Sequence, residues 1–286
     1  MSAVQLRGAR VLITGASSGI GRALAIQLAS EGAVLALAAR RSTLLAELAD
    51  EISAAGHTRP QVLSTDLAVR GAAAELGPRA ISELGGGIDV LVNNAGSSLT
   101  GAQTRIADSD AARSVFETNV WAPLALTAAV IPAMRAAGRG MIVNVTSTIQ
   151  AVPIPLLGYY AASKSALAQA TRSLRLELAG TPIRVLEVVP GGTDTALRDI
   201  DELPWKGTAP KTLPPISPEA MAAAMVRAIS RGNNRLVHPA YSLLPVELPI
   251  VGRLVATLAG ARVDTLGALD PIDQLFHRKP GPETAR

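Results

Sequence analysis

The sequence predicts an α/β fold in which a parallel sheet is covered by helices on both faces. Three observations carry this. Short apolar runs alternate with longer stretches of helical periodicity. The runs are apolar throughout, as strands buried on both sides are. Hydrophobic residues make up 48% of the 286 residues and charged residues 17%, which supplies a core and excludes an intrinsically disordered chain.

The elements follow in order. Residues 11–14 form a buried strand that stops at Gly15. Helical periodicity runs from 19 to 31 and ends at Gly32, a C-capping glycine. A second apolar run covers 33–39, a helix charged on one side covers 42–55, and 62–65 gives a third strand. A turn at Gly85, Gly86 and Gly87 precedes a fourth strand at 90–93. Residues 103–137 hold helical segments expected to break at Pro123 and Pro132. A strand at 141–146, a helix at 158–179 and a strand at 183–189 follow, the last ending at Pro190 and Gly191. Residues 191–218 show no periodicity, and a loop of that length in a compact domain is functional or mobile. Ser217 and Pro218 then open a helix at 218–231 as N-cap and N1. A last strand falls near 236–238.

The main unit is expected to be residues 1–240, with 241–286 as a C-terminal extension. In it Ile250, Val251, Leu254, Val255 and Leu258 share one helical face, with Arg253 and Thr257 on another. Ten helical residues cover about 15 Å, well short of a bilayer. The apolar face is therefore expected to dock on the same subunit or on an oligomer partner, with a membrane surface as the lesser alternative. The polar run 278–286 is expected to be disordered.

Composition also excludes chemistry. There is no cysteine, so disulfides, thiolate nucleophiles and Cys-based metal sites are absent. His57, His238 and His277 are too scattered for a metal helix, and no metal site is expected. The net charge is +4, the arginines are spread along the chain and only 2% of residues are aromatic, which argues against nucleic-acid binding. Arg7 and Arg10 lie just before a glycine-rich turn, which does not resemble a signal peptide. Residues 140–163 lack charge, but polar residues and prolines interrupt them, so no transmembrane span is expected. These features together suggest a cytoplasmic protein.

Between the first strand and first helix, Thr14, Gly15, Gly19 and Gly21 make a TGxxxGxG turn. Glycines allow a tight turn and close approach to a pyrophosphate, whose charge the helix N-terminus favours. No Gly-Lys-Ser/Thr follows, which argues against a P-loop. Taken alone, the turn also fits an S-adenosylmethionine site or a purely structural loop. The second strand ends in Arg40 and Arg41, where an NAD site commonly places an acid for the ribose. Guanidinium groups there suit a phosphate and suggest NADP(H). The alternative is that they solvate a helix start.

Tyr160 and Lys164 are four residues apart and share a helix face. An ammonium beside a phenol favours the phenolate and makes Tyr160 a usable general acid or base. Lys164 is one of four lysines against 23 arginines and the first along the chain. An ordinary exposed helix pair is the plain alternative. Ser147 ends the fifth strand, on the side where open α/β sheets bind ligands, and could equally cap a turn. Asn119 interrupts a helical pattern, where asparagine is a mediocre former.

Together with residues 93–96, these features resemble the short-chain dehydrogenases/reductases in order and spacing, including the interval from Ser147 to Tyr160. The resemblance runs from residue 6 to about 240. It implies a Rossmann fold with a seven-stranded sheet. It implies that Tyr160 is the proton donor or acceptor and that Ser147 orients the carbonyl. Lys164 would bind the nicotinamide ribose and lower the Tyr160 pKa, and Asn119 would hold a water linking Lys164 to a proton relay. Gly15, Ser17, Ser18 and Ile20 match the pyrophosphate turn, with Gly19 and Gly21. Asp66 and Leu67 match adenine contacts, and Asn93 an adenosine-side backbone contact, beside Ala95 and Gly96. Thr193 matches the nicotinamide carboxamide position after Pro190 and Gly191. Many members are dimers or tetramers built on helices at 103–137 and 158–179, so a homodimer or homotetramer is expected.

The implied activity is NADP(H)-dependent carbonyl reduction or alcohol oxidation. The candidate wall residues Ser97, Leu99, Ile149, Val152, Ile154, Leu157, Leu197 and Trp205 are largely apolar, which favours an uncharged hydrophobic ketone or alcohol. Specificity would lie in residues 191–216. Two rivals stand beside this reading: a non-catalytic dinucleotide-binding sensor and a methyltransferase. The Tyr160 and Lys164 pair argues against both.

Overall fold

The computed structural model describes residues 4–194, 203–207 and 215–265. Seven strands, β1 (Arg10–Thr14), β2 (Val34–Ala39), β3 (Gln61–Ser64), β4 (Val90–Asn93), β5 (Gly140–Val145), β6 (Ile183–Pro190) and β7 (Arg235–His238), form one sheet. Its order is β3-β2-β1-β4-β5-β6-β7, and every pairing is parallel. The order reverses between β1 and β4, which opens a crevice at the carboxyl ends of the central strands.

Helices α1 (Gly19–Ser30) and α2 (Ser42–Ala54) cover one face, and α3 (Ala72–Glu83) the other. Because strand side chains alternate in direction, both sets must be apolar. Val11, Ile13, Leu35 and Leu37 meet Leu24, Leu28 and Leu48 on the first face. Leu12, Leu91 and Ile142 meet Leu76, Leu126 and Met134 on the second. Each leucine or isoleucine so buried contributes about 1.5–3 kcal/mol.

The helix α3 falls between the third and fourth expected strands, in a stretch where no element is expected from the sequence. Gly71, Gly77 and Pro78 read as breakers, yet Pro78 is inside the helix. Gly77 is needed for packing, since a Cβ there would come within 2.6 Å of the Ala129 Cβ. Residues 103–137 resolve into α4 (Gln103–Ile106), α5 (Asp110–Phe116), a π-turn at Glu117–Trp121 and α6 (Ala122–Ala136). The break expected at Pro132 does not occur, since α6 runs through it. Pro123 sits in the first turn of α6. It has no N–H for the carbonyl of Asn119, and the backbone widens into the π-turn just before it. Residues 110–136 are long and apolar enough to cross a membrane by composition, but the inner side of α6, with Leu126, Val130 and Met134, is in the core.

The long helix α7 (Gly158–Glu177) lies on the α3 side of the sheet, where its Leu174 packs against the core. Helix α8 (Pro218–Arg231) lies on the α1 side. The Ser217 hydroxyl accepts from the Ala220 N–H at 3.1 Å, as the sequence predicts, and Gly232 closes α8 at φ 66°. The extension forms α9 (Leu243–Glu247) and α10 (Pro249–Gly260). Helix α10 docks through small residues: Gly252 is buried, and a Cβ on it would lie 2.8 Å from the Ala151 carbonyl oxygen. Val263 then pairs with Trp205 in an antiparallel bridge. The shared apolar face is turned away from its own subunit, with Ile250, Leu254 and Leu258 exposed, so of the expected docking surfaces the same subunit is not the one it meets. The run 278–286 and Leu197 lie outside the described residues.

Candidate active site

The site residues gather where strands end. Gly15 turns the chain after β1 at φ 67°, and its α-carbon lies so close to the chain after β4 that a Cβ would come within 2.7 Å of the Ala95 Cα. Gly21, in the first turn of α1, backs onto the Gly15 carbonyl, 2.4 Å from where its Cβ would be. Ser18 is the N-cap of α1, and its side chain makes no cap hydrogen bond. The first turn, with Gly19 and Ile20, therefore presents N–H groups without a side-chain cap.

Asn94 locks this turn. Its Nδ2 donates to the Thr14 and Gly15 carbonyls at 3.0 and 3.3 Å, and the Thr14 hydroxyl accepts from the N–H groups of Asn94 and Ala95, both at 3.1 Å. Asn94 lies within the segment 93–96 singled out by its spacing, which by itself assigns Asn94 no role. The Asn93 side chain points into the core, donating to Asn144 Oδ1 at 2.8 Å. That leaves its backbone for any adenosine contact.

At the end of β2, the Arg41 guanidinium folds over the glycine turn. It donates to the Ser17 and Ser18 hydroxyls at 2.9 and 2.7 Å. Arg40 points outward with a side chain 73% exposed, 4.0 Å from the Asp66 carboxylate. Asp66 caps its own turn by accepting from the Ala68 N–H, and Leu67 is buried beside it.

The π-turn makes Asn119 fully buried. Its Oδ1 accepts from the Ser97 N–H at 2.8 Å, and its Nδ2 donates to the Ser97 carbonyl at 2.7 Å and the Ser163 hydroxyl at 2.9 Å. Ser163 in turn donates to the Tyr160 carbonyl. Asn119 thus pins the first turn of α7 to the chain after β4. Nothing in the sequence marks Ser163, a helical serine with no motif of its own.

Lys164 is the central contact. It is 3% exposed, and its Nζ donates to the Val145 carbonyl at 2.9 Å and lies 5.9 Å from the centre of the Tyr160 ring. Burial lowers its pKa to about 8. Val145 is two residues before Ser147, so the ammonium ties the end of β5 to the tyrosine. Ser147 caps the short 3₁₀ turn Thr148–Gln150 by accepting from the Ile149 N–H at 3.3 Å. The capping role is therefore real, and its spare donor leaves room for a second. The neighbour Tyr159 is spent elsewhere, its hydroxyl donating to the Ala107 carbonyl.

Thr193 follows β6 after Pro190. Its hydroxyl donates to the Gly191 carbonyl and its backbone bridges Ile216. Ile149, Ile154, Leu157 and Trp205 share an apolar cluster with Tyr160. Among the described residues no group of histidines and carboxylates is placed to hold a metal ion.

Residues 9–202 match the family model described as short chain dehydrogenase. The chain belongs to the short-chain dehydrogenase family. A short chain dehydrogenase of Pseudocercospora fijiensis is 38% identical over 199 residues, which is 69% of this chain and 64% of that one, so the chain spans less than two thirds of that relative. The NADP-dependent 3-hydroxy acid dehydrogenase of Schizosaccharomyces pombe is 34% identical over 241 residues, 82% of this chain and 91% of that one. Among solved structures, a Burkholderia phymatum family member in complex with NAD aligns with a TM-score of 0.75 at 26% identity, covering 86% of this chain and 94% of that one. One from Sphingobium yanoikuyae in complex with NADPH aligns at 0.73 and 26% identity, covering 87% and 95%. The seven-stranded doubly wound sheet is that of these short-chain dehydrogenase structures.

Proposed function

We propose that this chain is an NADP(H)-dependent oxidoreductase acting on the carbonyl or alcohol carbon of an uncharged hydrophobic substrate. The observation that carries the reading is Lys164, a buried ammonium held between the strand end before Ser147 and the ring of Tyr160.

The site fits a dinucleotide. The approach of Gly15 and Gly21 leaves no space for side chains, so the backbone itself can meet a pyrophosphate at the start of α1. Ser17, Ser18 and Arg41 make a donor-rich cradle, and Arg40 stands exposed beside it. A ribose 2′-phosphate suits that donor set, which has the geometry for a charge-assisted clamp. When bound, the nicotinamide would give or take the hydride.

The chain's own residues handle the oxygen. Lys164 stays mostly protonated at neutral pH, because its pKa is lowered only to about 8. Its charge favours the Tyr160 phenolate, so the phenol can release a proton to a forming alkoxide or take one from an alcohol. The Ser147 hydroxyl can donate to the same substrate oxygen while still accepting from Ile149. Asn119, through Ser163, holds the first turn of α7 and so fixes where Tyr160 stands. The apolar cluster of Ile149, Ile154, Leu157 and Trp205 suits a substrate without charge. The names of relatives bearing NADP support the cofactor choice, and the NAD-bound neighbour leaves the choice to measurement.

The test is NADPH fluorescence on binding, followed by NADPH consumption across a panel of uncharged aryl and alkyl ketones. Binding with turnover of apolar ketones is expected. Binding without turnover of any ketone or alcohol in either direction would favour a sensor over an enzyme.

A further inference from the structure

Ser147 and Tyr160 sit on different elements, so something must hold their hydroxyls in register. Lys164 ties α7 to the end of β5 through the Val145 carbonyl. The Ser147 hydroxyl lies beyond that tie, and its own contact, the Ile149 N–H, belongs to the same short turn. A single 3₁₀ turn has few hydrogen bonds and imperfect geometry, so its place must be fixed from outside.

Gln150, the last residue of that turn, makes the outside contacts. Its N–H donates to the Ser147 carbonyl at 3.2 Å. Its Nε2 donates to Glu187 Oε1 on β6 at 3.1 Å. Its carbonyl accepts from the hydroxyl of Ser165, the residue after Lys164, at 3.4 Å. One side chain therefore links Ser147, the sheet and α7. Glu187 is a firm anchor, fully buried and paired in register with Asn144 on β5 and Arg235 on β7. Its charge is met by Arg235 at 3.2 Å, which pairs in turn with Glu247 of α9. A hydrogen bond to an ionised carboxylate is about twice as strong as a neutral one. The other end of the amide shows that this bond sets the side chain's place, because Gln150 Oε1 is buried with no hydrogen-bond partner among the described residues. A half-paired buried amide is costly, and an apolar side chain would avoid that cost. Helix α10 backs the same turn: a Cβ on Gly252 would lie 2.8 Å from the carbonyl oxygen of Ala151, the residue after Gln150.

We propose that Gln150 is a positioning residue for the reaction: anchored by Glu187, it holds the Ser147 hydroxyl in register with Tyr160. It acts through Ser147 and not on the substrate. The proposal rests on the oxidoreductase reading and adds to it the residue that sets the Ser147 turn.

The experiment is a double-variant cycle in the full chain, read by kcat with NADPH and a ketone that wild type reduces. Ser147→Ala removes a donor to the substrate oxygen and should lower kcat by about 10²–10³. Gln150→Leu keeps the bulk and removes the amide. It should lower kcat by roughly 10–100-fold, the scale of a small misplacement of a reacting group, with the melting temperature and the NADPH dissociation constant near wild type. Added to Ser147→Ala, Gln150→Leu should cost little further, because the hydroxyl it positions is gone. A merely structural role would give the same loss in both backgrounds. Gln150→Met is the second variant and should repeat the pattern. Equal losses in the two backgrounds, or wild-type kcat in Gln150→Leu, overturns the proposal and leaves the oxidoreductase reading standing. Failure of both Gln150 variants to fold makes the residue structural and overturns it as well. Absence of turnover by wild type with every ketone and alcohol removes the oxidoreductase reading, and the proposal falls with it.

Discussion

The Glu187 carboxylate on β6 lies 3.2 Å from Nε of Arg235, its register partner on β7. Asn93, Asn144, Glu187 and Arg235 occupy successive partner positions from β4 to β7, a polar row across an apolar sheet. Gln150, just after Ser147, donates to Glu187 at 3.1 Å, and Arg235 reaches on to Glu247 of α9. One buried carboxylate therefore joins the Ser147 turn to the C-terminal extension. Arg235→Leu should cost about 3–5 kcal/mol by leaving that carboxylate without its cation. Glu187→Leu with Arg235→Leu should recover most of it. Chemical denaturation of the single and double variants checks this, and equal losses in both would refute the coupling.

Lys164→Met should abolish turnover without destabilising the cofactor-free protein at pH 7. The folded pKa of about 8 lies below the ordinary 10.5, so the unfolded chain holds this proton more tightly. The burial penalty, on the order of 3 kcal/mol, is present below pH 8 and fades as pH rises toward 10.5. Wild type should gain stability relative to Lys164→Met between pH 8 and 10. Melting curves of the two proteins at pH 7 and pH 10 decide it, and a gap that does not move with pH argues against a buried ammonium.

Tyr160→Phe should reduce turnover by about 10²–10⁴ with NADPH binding retained. Tyr159→Phe should leave turnover near wild type, because that hydroxyl is already committed to the Ala107 carbonyl. Steady-state kinetics of both variants separate the two tyrosines, and equal losses would misplace the acid.

NADPH should be preferred over NADH by roughly 10–150-fold, the value of a charge-assisted contact to the 2′-phosphate. Arg40→Ala and Arg41→Ala should each erode that ratio, and Ala39→Asp should reverse it. Arg41→Ala should also loosen Ser17 and Ser18, which it holds directly, and so weaken NADH as well. Ratios of kcat/KM for the two cofactors are the measurement. Equal use of both by wild type would exclude the phosphate reading.

Asp89 lies at the opposite end of the sheet, paired with Arg10 at 3.0 Å and Arg139 at 2.8 Å. Burial pushes its carboxyl up, but hydrogen bonds from the Arg10 side chain and backbone and from Arg139 outweigh it and hold the pKa at about 2. Because the folded pKa is depressed, its stabilisation is full above about pH 4 and lost as pH falls toward 2. Asp89→Asn should lower stability at pH 7 by about 1–2 kcal/mol, with kcat unchanged. A loss of kcat without a loss of stability would reverse the assignment.

The strands and most helices were legible because burial on both faces forces continuous apolar runs, and because caps such as Ser217 and Gly32 punctuate them. Helix α3 was not, since Gly77 looks like a breaker until Ala129 is seen against it. Pro132 misled in the same way, because propensity is local and the packing of α6 on the sheet overrides it. Within the site, TGxxxGxG, Ser147, Tyr160 and Lys164 stood out by spacing, whereas Asn94 and Ser163 act through hydrogen bonds to residues distant in the chain.

The sequence by itself determined the alternation of elements, the glycine turn and the one tyrosine–lysine pair, because each depends on spacings of a few residues along a strand or helix. The tertiary structure alone decided that Lys164 is buried against Val145, that Glu187 finds Arg235 across the sheet, and that α10 docks by Gly252 with its leucines outward. Those outcomes depend on which distant surfaces meet. An amphipathic pattern shows that a helix has two faces, but only the shape of the neighbouring backbone determines which face can approach it.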